Sequence, residues 1–365
     1  MTRIKEIISH LESFAPSSYQ ESYDNSQLIT GNMNDTISGI LISLDATESV
    51  VDEAIRNGDN LIITHHPIIF AGLKSLTGKN YVERTVIKAI KNDIAIYAIH
   101  TNLDNVAHGV NKKICDKLGL INTRILAPKK QTLSKLTTFA PIDNIDKVKE
   151  ALFSSGAGSI GNYSECSFDM EGTGQFRPNE SANPTIGTSN LTEHVREIRI
   201  EVIFPEYLEQ KIIHNLKEAH SYEEMAYYIS PLKNMNQEVG SGMIGELKSA
   251  MEPDAFLYYL KNSMNLNCLK HTALVKDTVK KIAICGGAGS FLTNHAIGQE
   301  ADVFISSDFK YHDFFDADDK LIIADIGHYE SEVFTKELLH EILSEKFHTF
   351  ALNLSKTVTN PISYL

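Results

Sequence analysis

The sequence predicts an α/β protein into which a second, α+β domain is inserted, and three observations carry that reading. Apolar strand-like runs alternate with amphipathic helical segments at both ends of the chain. The alternation stops near Pro128 and resumes after Pro231. Between these points lies a stretch, Ser154 to Asn190, rich in Gly, Ser, Asn and Pro, that cannot belong to the same alternation.

Taken in order, Ile4, Ile7, Ile8 and Leu11 fall at helical spacing, and Thr36 to Leu44 reads as a strand rich in β-branched residues. A helix over Glu48–Asn57 leads to the apolar run Leu61-Ile62-Ile63, and a helix over Tyr81–Lys91 leads to Ile94–Ile99. A helix over Gly109–Leu118 follows. Continuous apolar strands alternating with helices indicate a mainly parallel sheet covered on both faces. In the middle, a strand and helix (Leu133–Ala140, Asn144–Ser154) and another strand and helix (Glu197–Phe204, Glu206–Ala219) match a small ferredoxin-like α+β arrangement. Later come strands at Lys281–Cys285, Ala301–Ser306 and Leu321–Ala324, with helices at Ser290–Glu300 and Tyr329–Glu345. The expected organisation is a core of residues 1–128 and 234–365 forming one α/β unit, interrupted by an inserted domain of residues 129–233.

The composition narrows the function classes. A net charge of -13 argues against an extended nucleic-acid surface or an anionic membrane as partner, because both need clustered positive charge. No apolar run approaches the roughly 20 residues of a membrane span, and the first residues form an amphipathic pattern with no apolar signal core. The four cysteines lie far apart with no CxxC pair, which suggests neither a thiolate zinc cage nor a disulfide framework. A reducing cytoplasmic setting is the expectation.

In open parallel sheets, functional groups collect just past the carboxyl ends of the strands. Three segments end that way. Leu61–Thr64 runs into His65-His66-Pro67, the strand ending at Ile99 runs into His100-Thr101-Asn102-Leu103-Asp104, and Leu321–Gly327 runs into His328-Tyr329-Glu330-Ser331-Glu332. His328 and Glu332 stand four apart at a helix start, sharing a face with Cβ atoms roughly 5–6 Å apart. Imidazole and carboxylate without thiolate suit zinc, iron, manganese or nickel. Three imidazoles with two carboxylates exceed what one open site needs, and a carboxylate can bridge two ions about 3.5–4 Å apart. Taken alone, His-His-Pro also reads as a turn with partly buried histidines, and His-x-x-x-Glu is weaker still.

These segments, Thr64-His65-His66-Pro67, His100–Asp104 and Gly327–Glu332, closely resemble the dinuclear metal-centre proteins of the Ngg-one-interacting-factor-three-like family, often named GTP cyclohydrolase I type 2 homologues. Cys285–Ser290, Asp302–Asp313 and Tyr23–Ser26 are similar as well, and the resemblance spans nearly the whole chain. The middle segment resembles the PII-like or CutA-like insert of the longer bacterial members, on Gly156–Tyr163, Gly172–Pro178 and Ala219–Glu224. The resemblance implies two divalent ions on His65, His66, Asp104, His328 and Glu332, and a ring-shaped homohexamer with the inserts as lids. It implies hydrolysis of a small molecule such as a guanine nucleotide, with Glu332 or His312 moving protons. A departure falls at Ser306-Ser307-Asp308, where many relatives have Thr-Gly-Asp; losing Gly removes easy access to positive φ.

Other residues keep two readings. The turn Cys285–Ser290 is either a tight turn or a phosphate cradle of backbone NH groups. Lys310 either contacts phosphate or is solvated surface. His100 either orients Asp104 or closes a strand end. Arg177, His220 and Glu223 of the insert read as exposed polar groups. Two functional classes stand: a metal-dependent hydrolase, and a metal-carrying or regulatory ring whose insert senses a ligand.

Overall fold

The computed structural model describes residues 1–365. They divide into two compact units, Met1–Pro128 with Glu238–Leu365, and Lys129–Gln237. In the N-terminal part of the first unit, α1 (Ile4–Phe14), β1 (Leu28–Thr30), β2 (Gly39–Ser43), α2 (Glu48–Asn57), β3 (Leu61–Thr64) and α3 (Tyr81–Lys91) come first. They are followed by β4 (Ala95–Ala98), α4 (Thr101–Asp104), α5 (Val110–Lys117) and β5 (Ile121–Lys130). The second unit holds β6 (Leu133–Pro141), α6 (Ile145–Ser154), β7 (Phe168–Phe176), β8 (Glu193–Pro205), α7 (Glu209–Ala219) and β9 (Tyr227–Pro231). The chain returns through β10 (Met235–Met251), α8 (Pro253–Ser263), β11 (Lys270–His271), β12 (Val279–Ala288), α9 (Thr293–Gly298) and β13 (Val303–Ser307). It ends with β14 (Ile322–Asp325), α10 (His328–Glu332), α11 (Thr335–Ser344) and β15 (Ala351–Leu354). No helix is long and apolar enough to cross a membrane.

The first unit is α/β, but it carries two sheets where the alternation suggested a mainly parallel one. The first sheet has the order β1-β4-β3-β2-β15, and the second β11-β14-β13-β12-β10-β5. Within them β15, β2, β3 and β4 run parallel, as do β12, β13 and β14, whereas β1 is antiparallel to β4, β10 to β12 and β11 to β14. Strands buried on both faces are apolar throughout, so periodicity does not reveal how many sheets they form. One shared core lies between the sheets: Ile40, Ile42 and Ile63 of the first and Ile282, Ile284 and Ile305 of the second belong to the same apolar cluster. Buried residues of α1, α5, α8 and α11 complete it, including Ile7, Ile114, Phe256 and Leu339. The far face of the first sheet packs Leu41, Ile62 and Ile96 on α2 and α3 through Val50, Ala54 and Val86. The far face of the second packs Ala283, Phe304 and Ile323 against Leu292 and Ala296. Burying Ile, Leu and Val on both sheet faces contributes about 1.5–3 kcal/mol per side chain, which fixes the strand ends that carry the site.

The expected helix over Tyr329–Glu345 is two helices, α10 and α11, and that over Ser290–Glu300 is a 3₁₀ turn, Ser290–Leu292, followed by α9. In the second unit the order β-α-β-β-α-β gives a sheet β7-β8-β6-β9 in which every neighbour is antiparallel. Its core packs Leu136, Ile200, Val202 and Phe204 on Val148 and Leu152 of α6 and Ile212 and Leu216 of α7. His220 is buried here rather than exposed, because its Nε2 donates to the Phe139 carbonyl at 2.8 Å while Nδ1 accepts from the Tyr222 amide. Arg177 and Glu223 are exposed.

Candidate metal centre

Three strand ends of the first unit deliver the chemistry. β3 ends at Thr64, whose hydroxyl donates to the His66 carbonyl at 2.8 Å and fixes the turn that presents His65 and His66. Beyond β4, the single turn of α4 places Asp104, whose carbonyl accepts from the Asn111 side chain. Beyond β14, Gly327 at φ +90 starts α10, putting His328 and Glu332 on one face.

The five expected residues converge. Glu332 Oε2 lies 2.9 Å from His66 Nε2 and 3.0 Å from His328 Nε2, and these two nitrogens are 3.3 Å apart. The other oxygen, Oε1, faces His65 Nε2 at 3.9 Å, and His65 Nε2 lies 3.5 Å from Asp104 Oδ1. Two trios thus share one carboxylate: His66, His328 and Glu332, and His65, Asp104 and Glu332. In a tetrahedral shell with donors at about 2.1 Å, neighbouring donors stand roughly 3.4 Å apart, close to what both trios show.

Each imidazole turns Nε2 inward because Nδ1 is held from behind. His65 Nδ1 donates to the Ile99 carbonyl at 2.9 Å, His66 Nδ1 to Asp45 at 2.7 Å, and His328 Nδ1 to Asp308 at 2.7 Å. Such outer partners fix the tautomer and raise ligand basicity. Asp45 in turn accepts from the Thr359 hydroxyl. The clearest sign that a cation fits is a pair of orphans: His65 Nε2 and Asp104 Oδ1 are buried and have no hydrogen-bond partner. A buried polar atom without a partner costs about 1–3 kcal/mol, and a divalent ion would satisfy both at once.

The electrostatics differ from one imidazole to the next. Burial pushes His65 down to about 4 and keeps it neutral, the form that ligates metal. For His66 burial acts downward too, but its bonds to Asp45 and Glu332 prevail and raise it to about 10; for His328, Glu332 and Asp308 raise it to about 9. Burial would raise Glu332, yet the His328, His65 and His66 imidazoles around it hold it well below the usual carboxylate range. Burial and the neighbouring Glu332 charge push Asp104 up, a strain that a cation would relieve.

The turn Cys285–Ser290 is built for close approach. A Cβ on Gly287, at φ +64, would lie 2.3 Å from Glu332 Oε1, and the amides of Gly286 and Gly287 are taken by Asn111 and Ser331. At Ser306-Ser307-Asp308 the positive φ falls on Asp308, at +58, and not on Ser307, so the missing glycine costs no turn; Asp tolerates that conformation. Lys310 and His312 are exposed; the His312 ring packs on Tyr311 at 5.2 Å and belongs to neither trio. His100 does not orient Asp104: its Nδ1 donates to Asp24 at 2.8 Å. Asp45 and Thr359 are not among the residues expected from the sequence, and Asp308 is expected there only as part of a turn. Asp45 directly follows the apolar run of β2, the same signal that found the histidines.

The fold and cluster define an α/β protein with groups of histidine and carboxylate that could bind metal. The chain belongs to the Duf34/NIF3 (NGG1p interacting factor 3) family, whose model matches residues 2–361. It is 38% identical over 364 residues to the GTP cyclohydrolase 1 type 2 homolog of Halalkalibacterium halodurans, covering 98% of each chain. The protein of that name from Bacillus subtilis is 36% identical over 366 residues, covering 99% of this chain and 98% of that one. A crystal structure of a Bacillus cereus protein related to NIF3 superposes with a TM-score of 0.89 at 38% identity, covering 100% of this chain and 99% of that one.

Proposed function

We propose that this protein holds two divalent ions, zinc, iron or manganese, on His65, His66, Asp104, His328 and Glu332, and is a metal-dependent hydrolase of a small molecule. The observation that carries the reading is the division of Glu332, with Oε2 toward His66 and His328 and Oε1 toward His65, whose Nε2 also faces Asp104. A carboxylate shared in this way supports a two-ion site. When bound, the ions would supply Lewis acidity that lowers the pKa of water toward about 7 and polarises an electrophilic carbon or phosphorus. The chain's own part is positional: Asp45, Asp308 and the Ile99 carbonyl hold three imidazoles in place, and Glu332 stays ionised. The relatives' name makes a guanine nucleotide the first substrate to assay, with formate as product. Asp104→Asn and His66→Ala should each lower turnover at least about 100-fold, because a lost ligand misplaces the ion that polarises the water. Unchanged turnover in both variants would reject the site.

A second reading, a regulatory metal-carrying ring, is favoured by one observation. The second unit contributes none of the five residues, and its β-α-β-β-α-β order supports a ferredoxin-like, PII/CutA-like sensing module. Metal-replete protein that turns over neither GTP nor phosphate esters would favour it. A cytoplasmic homohexamer is the assembly we propose by family resemblance; native mass spectrometry measures the subunit count.

A further inference from the structure

We propose that His100 is a fourth imidazole donor to this site, an inference that rests on the two-ion reading above. The three histidines of the two trios share one construction: Nδ1 donates to a fixed oxygen, on Ile99, Asp45 or Asp308, and Nε2 is left to face the centre. His100 repeats it. Its Nδ1 donates to Asp24 at 2.8 Å, which leaves Nε2 as the free nitrogen. One nitrogen each of His65, His66 and His100 lies within 4.8 Å of the others. The His100 ring centroid stands 5.2 Å from that of His65 and 5.3 Å from that of His66.

The anchor is as built as the others. The Asp24 side chain is fully buried and also accepts from the Ser26 hydroxyl at 2.9 Å and the Thr101 amide at 3.0 Å, so its orientation is set independently of the imidazole. His220, away from the site, uses both nitrogens within the protein, with Phe139 and Tyr222. His100 bonds through Nδ1, and its ring stands beside two metal-ligand candidates.

The chemical consequence is inequality between the ions. Each trio alone gives an ion three protein donors, the number of an open, reactive site. A fourth imidazole gives one ion four, the number of a closed site, and leaves the other as the position open to water or substrate.

The test uses full-length protein loaded with cobalt(II), read by visible absorption, chelator competition and X-ray absorption, none of which depends on turnover. In the wild type, X-ray absorption should count four imidazoles shared by two cobalt ions. His100→Gln and His100→Ala should shift the visible bands and weaken one of the two cobalt ions at least about tenfold, while the other keeps its affinity. Asp24→Asn should weaken the same ion by less. Three imidazoles in the wild type, or unchanged bands and affinities in the folded variants, would overturn the proposal and leave the two-ion reading standing. Wild-type protein that takes up no cobalt would overturn both. The wild-type count decides the matter if either variant fails to fold.

Discussion

Glu332 Oε2 lies 2.9 Å from His66 Nε2 although 266 positions separate the two residues. One of them follows a strand of the first sheet and the other follows a strand of the second, so the site forms only when the two ends of the chain have packed onto their common core. Metal that binds there binds the folded state alone, and stabilises it by mass action.

The closeness of Gly287 to Glu332 gives a sharp test of packing. Alanine at position 287 would place Cβ 2.3 Å from Glu332 Oε1 on a backbone at φ +64. Strain of this kind costs about 1–3 kcal/mol. Gly287→Ala should lower the unfolding midpoint and reduce bound metal, whereas Gly172→Ala, where nothing lies within 4 Å of the added carbon, should leave metal content unchanged. Equal metal content in both variants would show that the turn does not position Glu332.

The charge pattern predicts a pH dependence with a definite sign. Without metal, His66 and His328 sit at about 10 and about 9, above their ordinary 6.5, through Glu332, Asp45 and Asp308. The stability they contribute is therefore complete below about pH 6.5 and is lost as pH rises through 9 to 10. A divalent ion replaces those protons, so metal affinity should climb over the same interval. Thermal unfolding of chelator-treated and metal-loaded protein should show a gap in Tm that widens from pH 7 to 9. A narrowing gap would contradict the assignment of these imidazoles as ligands.

Removal of Lys129–Gln237 should leave a folded, metal-binding core. The cut ends are adjacent within the first unit: β5 and β10 are neighbours, and a Cβ on Gly240 would stand 2.7 Å from Pro128 Cα. A linker of about three residues bridges such a gap. Circular dichroism and elemental analysis of the shortened chain should match the parent core. An unfolded product in the presence of metal would show that the middle segment is needed for the core to fold.

The histidines and carboxylates of the site were legible because each lies at or a few residues beyond the end of an apolar run, as at Ile63-Thr64-His65-His66 and from Ile323 to His328. The α/β class was legible for the same reason. The second sheet was not. β10 carries Gly240 and Gly242 within its length, and β11 is a strand of two exposed residues, Lys270 and His271, so neither resembles the long apolar runs elsewhere. β7 lies at a sheet edge with most of its residues exposed, which removes the alternation that marks a half-buried strand. The anchors Asp24 and Asp308 are single carboxylates in turns, and only folding shows that an imidazole stands in front of each.

The most direct measurement of the central claim is elemental analysis of the purified chain after gentle reconstitution with zinc, manganese and iron, beside Glu332→Gln. Because Glu332 is the only residue common to both trios, the wild type should carry two divalent ions per chain and the variant at most one. One ion or fewer in the wild type, or two retained in the variant, would contradict a two-ion site bridged by Glu332.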